Sequence, residues 1–153
     1  MARLTDLPPS LAHHLADLEC PTHDTTPWVN GPPLSGRRVA IVSTAGLQRR
    51  GEPTFDLGDS GYRILDGDLP ASDIVMSHIS TNFDRTGFQQ DLNVVFPLDR
   101  LRELAARGVI GSVARFHYSF MGATAPEAMA PTARALAPLL QRDGVDALLL
   151  APV

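Results

Sequence analysis

Short, continuous apolar runs constrain the fold of this chain more than any other feature. Residues 37–43 (RRVAIVS), 73–77 (DIVMS) and 146–150 (DALLL) are such runs, and they predict strands buried on both faces. Residues 115–120 (RFHYSF) alternate polar and aromatic side chains and predict another strand, and residues 62–65 add a small one. Buried strands of this kind are typical of a parallel sheet.

Helical patterns separate these strands. Helices are predicted over residues 5–19, from Pro97 to Arg107, and from Pro126 or Pro131 towards Gln141. The alternation of strands and helices predicts an α/β fold: an open, mostly parallel, Rossmann-like sheet with helices on both faces. The chain stops at the end of the last apolar strand, so we expect this sheet to be incomplete at its carboxyl terminus.

The predicted organisation has two parts. Residues 1–34 form an N-terminal helix and a Pro/Gly/Thr-rich extended arm, and residues 35–153 form the α/β domain. Cys20, the only cysteine, lies in the arm, so no internal disulfide and no cysteine-based metal site is expected.

Composition excludes several functions. The formal charge of −4 argues against nucleic-acid binding, and the sequence has no run near the ~20 apolar residues of a membrane span. We therefore expect a cytoplasmic protein. The chain contains no lysine, which excludes a lysine Schiff base. The first strand is followed by neither a dinucleotide fingerprint nor a P-loop, and no G-x-S-x-G nucleophile elbow is present.

Polar and small residues follow two of the predicted strands. Thr44 to Gly46 come directly after the first strand, and Ser77 and His78 end the second. Ligands of open α/β sheets bind at the carboxyl ends of the strands, so we expect these residues to meet at one edge. The predicted catalytic residues are His78 and Asp84, and the predicted substrate-binding residues are Thr44, Gly46, Ser77 and Asn93.

Structural roles compete with these functional ones. His78 transfers a proton, because its pKa lies near neutrality, or it orders the loop through backbone hydrogen bonds. Asp84 orients His78, binds a cation, or forms an Asx turn. Asn93 alternatively holds the loop. His117 is predicted to be a packed core residue, and its spacing from His78 and Asp84 matches no metal motif, so no metal site is predicted.

Several stretches together resemble the selenoprotein B family of glycine, sarcosine, betaine and D-proline reductases. The matching stretches are PLSGRRVAIVSTAGL (33–47), FDLGDSGYRIL (55–65), SHISTNFDRTG (77–87), DLNVVFPLDRLRELAARGVIGSVA (91–114), SFMG (119–122) and GVDALLLAPV (144–153). They stand in the family's order and cover most of the chain after Trp28.

The resemblance implies reductive cleavage of a C–N bond by an oxidoreductase that uses a disulfide as acceptor. In that family a selenocysteine or cysteine directly follows the strand that matches ALLLAPV, so the nucleophile is expected just after Val153. Selenocysteine is encoded by UGA, which implies that the chain is the N-terminal portion of a selenoprotein cut at that codon. The implied partners are a small amine or amino-acid substrate and other reductase subunits, one of them bearing a pyruvoyl group.

Two classes of function remain open. The first is the substrate-binding portion of such a reductase, active only with the missing part. The second is a catalytically inactive fragment or a small-molecule- or partner-binding α/β module. The open sheet edge also predicts association into a homo-oligomer.

Overall fold

The computed structural model describes residues 4–17, 19, 22, 24–26, 28–80 and 85–153. The chain divides into two compact units, residues 1–31 and residues 32–153. In the first unit, a 3₁₀ turn at Leu4–Asp6 precedes the helix α1, Pro9–Ala16. The helix is shorter than the predicted span of residues 5–19. None of its residues is buried, and a helix without a packed face has little to extend it beyond a few turns.

The second unit contains seven strands and three helices within its described residues. In chain order they are β1 (Arg38–Ser43), β2 (Leu47–Arg49), β3 (Arg63–Asp66), β4 (Ile74–Met76), α2 (Thr86–Gln90), α3 (Leu98–Ala106), β5 (Ser112–Val113), β6 (Phe116–Ser119), α4 (Pro126–Arg142) and β7 (Ala147–Ala151). No helix in the described part of the chain is long and apolar enough to cross a membrane.

Strand β1 is the centre of the main sheet. It pairs in parallel with β7 from Val39 opposite Ala147 to Ser43 opposite Ala151. On its other side it pairs in parallel with β5 and then with β6, and β3 joins the outer side of β6 in the antiparallel direction. The α/β class and the mostly parallel sheet are therefore confirmed. Leu148 and Leu150, on the edge strand β7, are 46% and 65% exposed.

The second predicted strand lies outside this sheet. Residues 74–76 do form a strand, β4, but it pairs in the antiparallel direction with β2, from Leu47 opposite Met76 to Arg49 opposite Ile74. The expectation that it joins the parallel sheet was therefore wrong. The reason lies at Gly46, whose φ of +65° is readily adopted by glycine. The chain turns there immediately after β1, and the resulting strand β2 gives β4 a partner close by.

Two clusters of buried side chains stabilise the second unit. The larger cluster joins β1 and β3 to α3 through Ile41, Leu65 and Leu101, and it contains the fully buried Phe96. The smaller cluster joins β6 to α4 through Tyr118 and Leu136. Burial of each large apolar side chain contributes about 1.5–3 kcal/mol, so these contacts hold both helices on the sheet.

A bulge separates β5 from β6. Arg38 lies opposite Ser112, and Val42 lies opposite Tyr118. The chain thus covers more residues between these two pairs on the β5–β6 side than on β1, and two residues on that side have no opposite partner. His117 fills the gap: its Nδ1 accepts a hydrogen bond from the Ile41 backbone N–H at 3.0 Å, and its side chain is fully buried. The prediction of a packed histidine is confirmed.

Candidate functional site at the strand ends

The carboxyl ends of β1 and β7 are joined by hydrogen bonds at Thr44. Its backbone N–H donates to the Ala151 carbonyl at 3.1 Å. Its Oγ1 accepts from the Val153 N–H at 2.8 Å and donates to the Val153 carbonyl at 3.3 Å. Because both strands run in the same direction, Thr44 fixes the direction in which the chain leaves β7.

Gly122 allows the end of β6 to approach the same point. Its N–H donates to the Thr44 carbonyl at 2.8 Å. A Cβ atom on Gly122 would lie 2.5 Å from the Val153 carbonyl oxygen and 2.9 Å from the Thr44 carbonyl oxygen, so any other residue would push these backbones apart. The sequence signal for this role was a glycine two residues after a predicted strand, but Gly122 was not among the predicted site residues.

Gly46 connects this edge to the end of β4. Its N–H donates to the Phe120 carbonyl at 2.8 Å, and its carbonyl accepts from the Ser77 N–H at 2.9 Å. A Cβ atom here would lie 3.1 Å from the His78 backbone nitrogen. The structure thus brings together four of the predicted site residues. We call this group, together with Val153, which was expected at the same edge, and Gly122, which was not, the strand-end cluster: Thr44, Gly46, Ser77, His78, Gly122 and Val153.

The Ser77 hydroxyl is used within the protein. It donates to Gln48 Oε1 at 2.6 Å and accepts from the Phe55 N–H at 2.9 Å. Gln48 itself is only 3% exposed. These bonds connect β2, the end of β4 and the loop at Phe55. The side chain of Ser77 therefore stabilises the backbone around the strand-end cluster.

His78 is almost fully buried beside Gly46. It is 3% exposed, its Nδ1 accepts from the Ser80 N–H at 3.2 Å, and its carbonyl accepts from the Arg85 guanidinium. Burial, followed by the nearby Arg85 charge, lowers the pKa of His78 below its usual value of 6.5. The imidazole is therefore mostly neutral at pH 7. Because Nδ1 is an acceptor, this hydrogen-bond pattern assigns the proton to Nε2.

The other predicted residues are placed differently. Asp84 and Cys20 lie outside the described residues. The side-chain hydrogen bonds of Asn93 go to Asp91 and Asp99, and its Oδ1 accepts from the Asp99 backbone N–H at 3.1 Å. Asn93 therefore satisfies an N–H in the first turn of α3. In the chain segments described above, no three His, Cys, Asp or Glu side chains lie close enough to hold a metal ion.

The family model and the most similar known proteins agree on one family of reductases. The family model "Glycine/sarcosine/betaine reductase selenoprotein B" matches residues 17–153. The D-proline reductase subunit gamma of Acetoanaerobium sticklandii is 33% identical over 120 residues, which are 76% of this chain and 49% of that protein. The glycine reductase complex component B subunit gamma of Carboxydothermus hydrogenoformans is 30% identical over 124 residues, with 76% of this chain and 28% of that protein covered.

A third relative has another substrate in its name. The betaine reductase complex component B subunit beta of Peptoclostridium acidaminophilum is 30% identical over 128 residues, again 76% of this chain and 28% of the relative. The chain thus spans about half or less of the length of these relatives. No solved structure matches it. On the match to residues 17–153, the chain belongs to the glycine/sarcosine/betaine reductase selenoprotein B family.

Proposed function

We propose that this chain is the substrate-binding portion of a selenoprotein B-type reductase subunit, which reductively cleaves a C–N bond of glycine, sarcosine, betaine, D-proline or a related amine. Family membership and the names of the relatives support this proposal. The observation that carries it is the pair of hydrogen bonds between Thr44 Oγ1 and Val153, because the family resemblance puts the reactive residue directly after Val153.

In this proposal the nucleophile comes from polypeptide beyond residues 1–153. A selenolate or thiolate there attacks the α-carbon, and the amine leaves with the bonding electron pair and takes up a proton. Thr44 fixes the direction of the backbone that carries this residue. Gly122 keeps the strand ends close enough for that hydrogen bonding, and Gly46 brings His78 to the same edge.

The buried state of His78 refines its proposed catalytic role. With its pKa lowered by burial and by Arg85, the imidazole does not store a proton at neutral pH. It acts as a relay in which Nδ1 takes up a proton from solvent, in place of its hydrogen bond from Ser80, as Nε2 gives its proton to the leaving amine. A purely structural His78 would order the loop through Ser80 and Arg85 without any effect on the pH dependence of the reaction.

Other reductase subunits are the proposed partners, since the relatives are named as components of complexes. By family analogy one partner carries a pyruvoyl group. Its ketone would react with phenylhydrazine, so the complex isolated from its source should lose activity in that reagent. Full activity after phenylhydrazine treatment would contradict a pyruvoyl partner. It would not affect the proposed role of the strand-end cluster.

The test of the proposed function uses the protein isolated from its source, with its native partners and a dithiol as reductant. We expect amine release from at least one of the four named substrates. Thr44→Val removes the hydroxyl at nearly constant volume and should lower kcat/KM by about a hundredfold, because small misplacements of a nucleophile have effects of that size. Thr44→Ser keeps the hydroxyl and should retain most activity.

Two results would contradict the proposal. Absence of amine release from all four substrates would favour an inactive fragment or a binding module. If Thr44→Val is as active as wild type, the strand-end cluster does not position the nucleophile, even if the protein is a reductase.

A further inference from the structure

A cavity lies on the sheet away from the strand-end cluster. Its volume is about 320 Å³, within the range of small-molecule sites. Strands β3 and β6 and the C-terminal turn of α4 form its walls. Its lining residues are Ile64, Phe116, Tyr118, Leu139, Arg142 and Asp143.

The walls of this cavity are mostly apolar. Ile64 and Phe116 come from the sheet, and Leu139 comes from α4. Ile64, on the outer strand β3, is 45% exposed. An apolar ligand body in the cavity would cover this side chain and remove its surface from water.

The two charged lining residues differ in their partners. The Asp143 carboxylate accepts from Arg38 at 2.7 Å through Oδ1, and from the backbone N–H groups of Arg115 and Phe116 through Oδ2. The Arg142 guanidinium makes no hydrogen bond and no ion pair with any residue that the structure describes. The negative charge is therefore neutralised, and the positive charge is available to a ligand.

Tyr118 adds a polar group to the cavity wall. Tyr118 is only 2% exposed as a whole residue, and its hydroxyl, which is not among the fully buried unpartnered atoms, has no hydrogen-bond partner among the described residues. A ligand oxygen would provide one. Burial raises the pKa of Tyr118, with smaller contributions from Asp143 and Tyr62, so the hydroxyl remains a proton donor at neutral pH.

We propose that this cavity binds a small monocarboxylate with an aromatic or branched aliphatic body. The apolar part packs against Ile64, Phe116 and Leu139. The carboxylate pairs with Arg142, whose planar guanidinium suits two parallel hydrogen bonds. The Tyr118 hydroxyl donates to a ligand oxygen. This inference is independent of the proposed reductase role, because no residue of the strand-end cluster lines the cavity.

An amine is the wrong ligand for these groups. Asp143 is the acidic residue of the lining, and Arg38 together with two backbone N–H groups already occupies its oxygens. A cation would also be repelled by the unpaired Arg142. The site therefore selects against the ammonium group of an amine and in favour of an anion.

The experiment is ligand binding to the complete protein, measured by NMR titration with 3-phenylpropionate. The matched probes are 3-phenylpropanamide, which is neutral, and 3-phenylpropylamine, which is cationic. We expect 3-phenylpropionate to bind at least about tenfold more tightly than either probe, as one charge-assisted hydrogen-bond pair provides. Chemical-shift changes should centre on Phe116, Tyr118 and Leu139.

Variants separate the site from unspecific binding. Arg142→Gln should remove the preference for the carboxylate, whereas Arg134→Gln, an exposed arginine on the same helix outside the cavity lining, should leave it unchanged. Ile64→Trp should fill the cavity from its exposed side and abolish binding. Equal affinity for the acid and the amide, retained preference in Arg142→Gln, or absence of any binding would each overturn the proposal.

Discussion

Two buried histidines occupy contrasting regions of this protein. His117 lies within the main sheet, fully buried, and its Nδ1 takes the place of a backbone acceptor for Ile41. His78 lies at the end of the small antiparallel sheet, 3% exposed, with its backbone against Gly46. Burial is the largest cause of the lowered pKa at both residues.

The difference teaches that burial and a perturbed pKa do not identify a functional histidine by themselves. His117 repairs a local irregularity in strand pairing, and its ring packs edge-on against Phe96 at 5.4 Å between ring centroids. His78 is placed by a glycine turn at the carboxyl edge of β1. We therefore expect stability to depend mainly on His117 and activity mainly on His78.

The largest expected effect is on stability at His117. His117→Ala removes a buried ring and leaves the Ile41 N–H without an acceptor, so the free energy of unfolding should fall by about 3–5 kcal/mol. His117→Asn keeps an acceptor at the δ position and should lose distinctly less. Urea denaturation of both variants measures the difference. Equal losses would show that the Ile41 hydrogen bond contributes nothing.

The second effect is the pH dependence of stability. Burial lowers the pKa of His117 from 6.5 to about 4, so the unfolded chain binds a proton at a higher pH than the folded one. The contribution to stability is complete above pH 6.5 and is lost as the pH falls towards 4. The total loss is about 3 kcal/mol.

The measurement is the free energy of unfolding of wild type and His117→Asn between pH 7.5 and pH 4. The variant lacks this titration but keeps His78 and the aspartates, so the difference between the two curves isolates His117. A difference that stays constant with pH would contradict the assignment of a buried, neutral imidazole.

A smaller effect is expected at the strand ends. Gly122→Ala forces a Cβ atom against the carbonyl oxygens of Val153 and Thr44, and such overpacking should cost about 1–3 kcal/mol. Gly36→Ala is the matched control, since its nearest neighbour would lie at an ordinary 3.9 Å. Thermal unfolding of the two variants measures the contrast. Equal melting temperatures would contradict the close approach of β1, β6 and β7.

The smallest effect on stability is expected at His78. His78→Asn keeps an acceptor for the Ser80 N–H and should cost about 1 kcal/mol. In the protein isolated from its source, the same substitution should lower kcat by about a hundredfold, the contribution of a proton-transfer group. His117→Asn should leave kcat of the folded fraction unchanged. If His117→Asn lowered kcat and His78→Asn did not, the roles assigned to the two histidines would be wrong.

The sequence predicted helices α3 and α4 and five of the seven described strands, and it missed the short elements β2, α2 and β5. Strands β1, β6 and β7 and helices α3 and α4 were found because continuous runs, alternation or helical spacing mark them. Strand β2 was missed, since the three residues Leu47–Arg49 are too few to show a period. The antiparallel pairing of β4 depends on the turn at Gly46, which no local pattern reveals.

The candidate site was predictable only in part. Thr44, Gly46, Ser77 and His78 were placed together because polar residues followed two strands. The direct contact of Gly122 with Val153 and Thr44 depends on strand order, and this order is set by long-range pairing. Asn93 was grouped with the site by its nearness in sequence, whereas its hydrogen bonds to Asp91 and Asp99 belong to the start of α3.

The most direct measurement maps the reactive residue in the protein isolated from its source. Alkylation with iodoacetamide under reducing conditions, followed by tandem mass spectrometry, should identify a modified selenocysteine or cysteine immediately after the Ala151–Pro152–Val153 segment. The intact mass should exceed 16.5 kDa. A product of 16.5 kDa that ends at Val153, or a reactive residue at Cys20, would contradict the account.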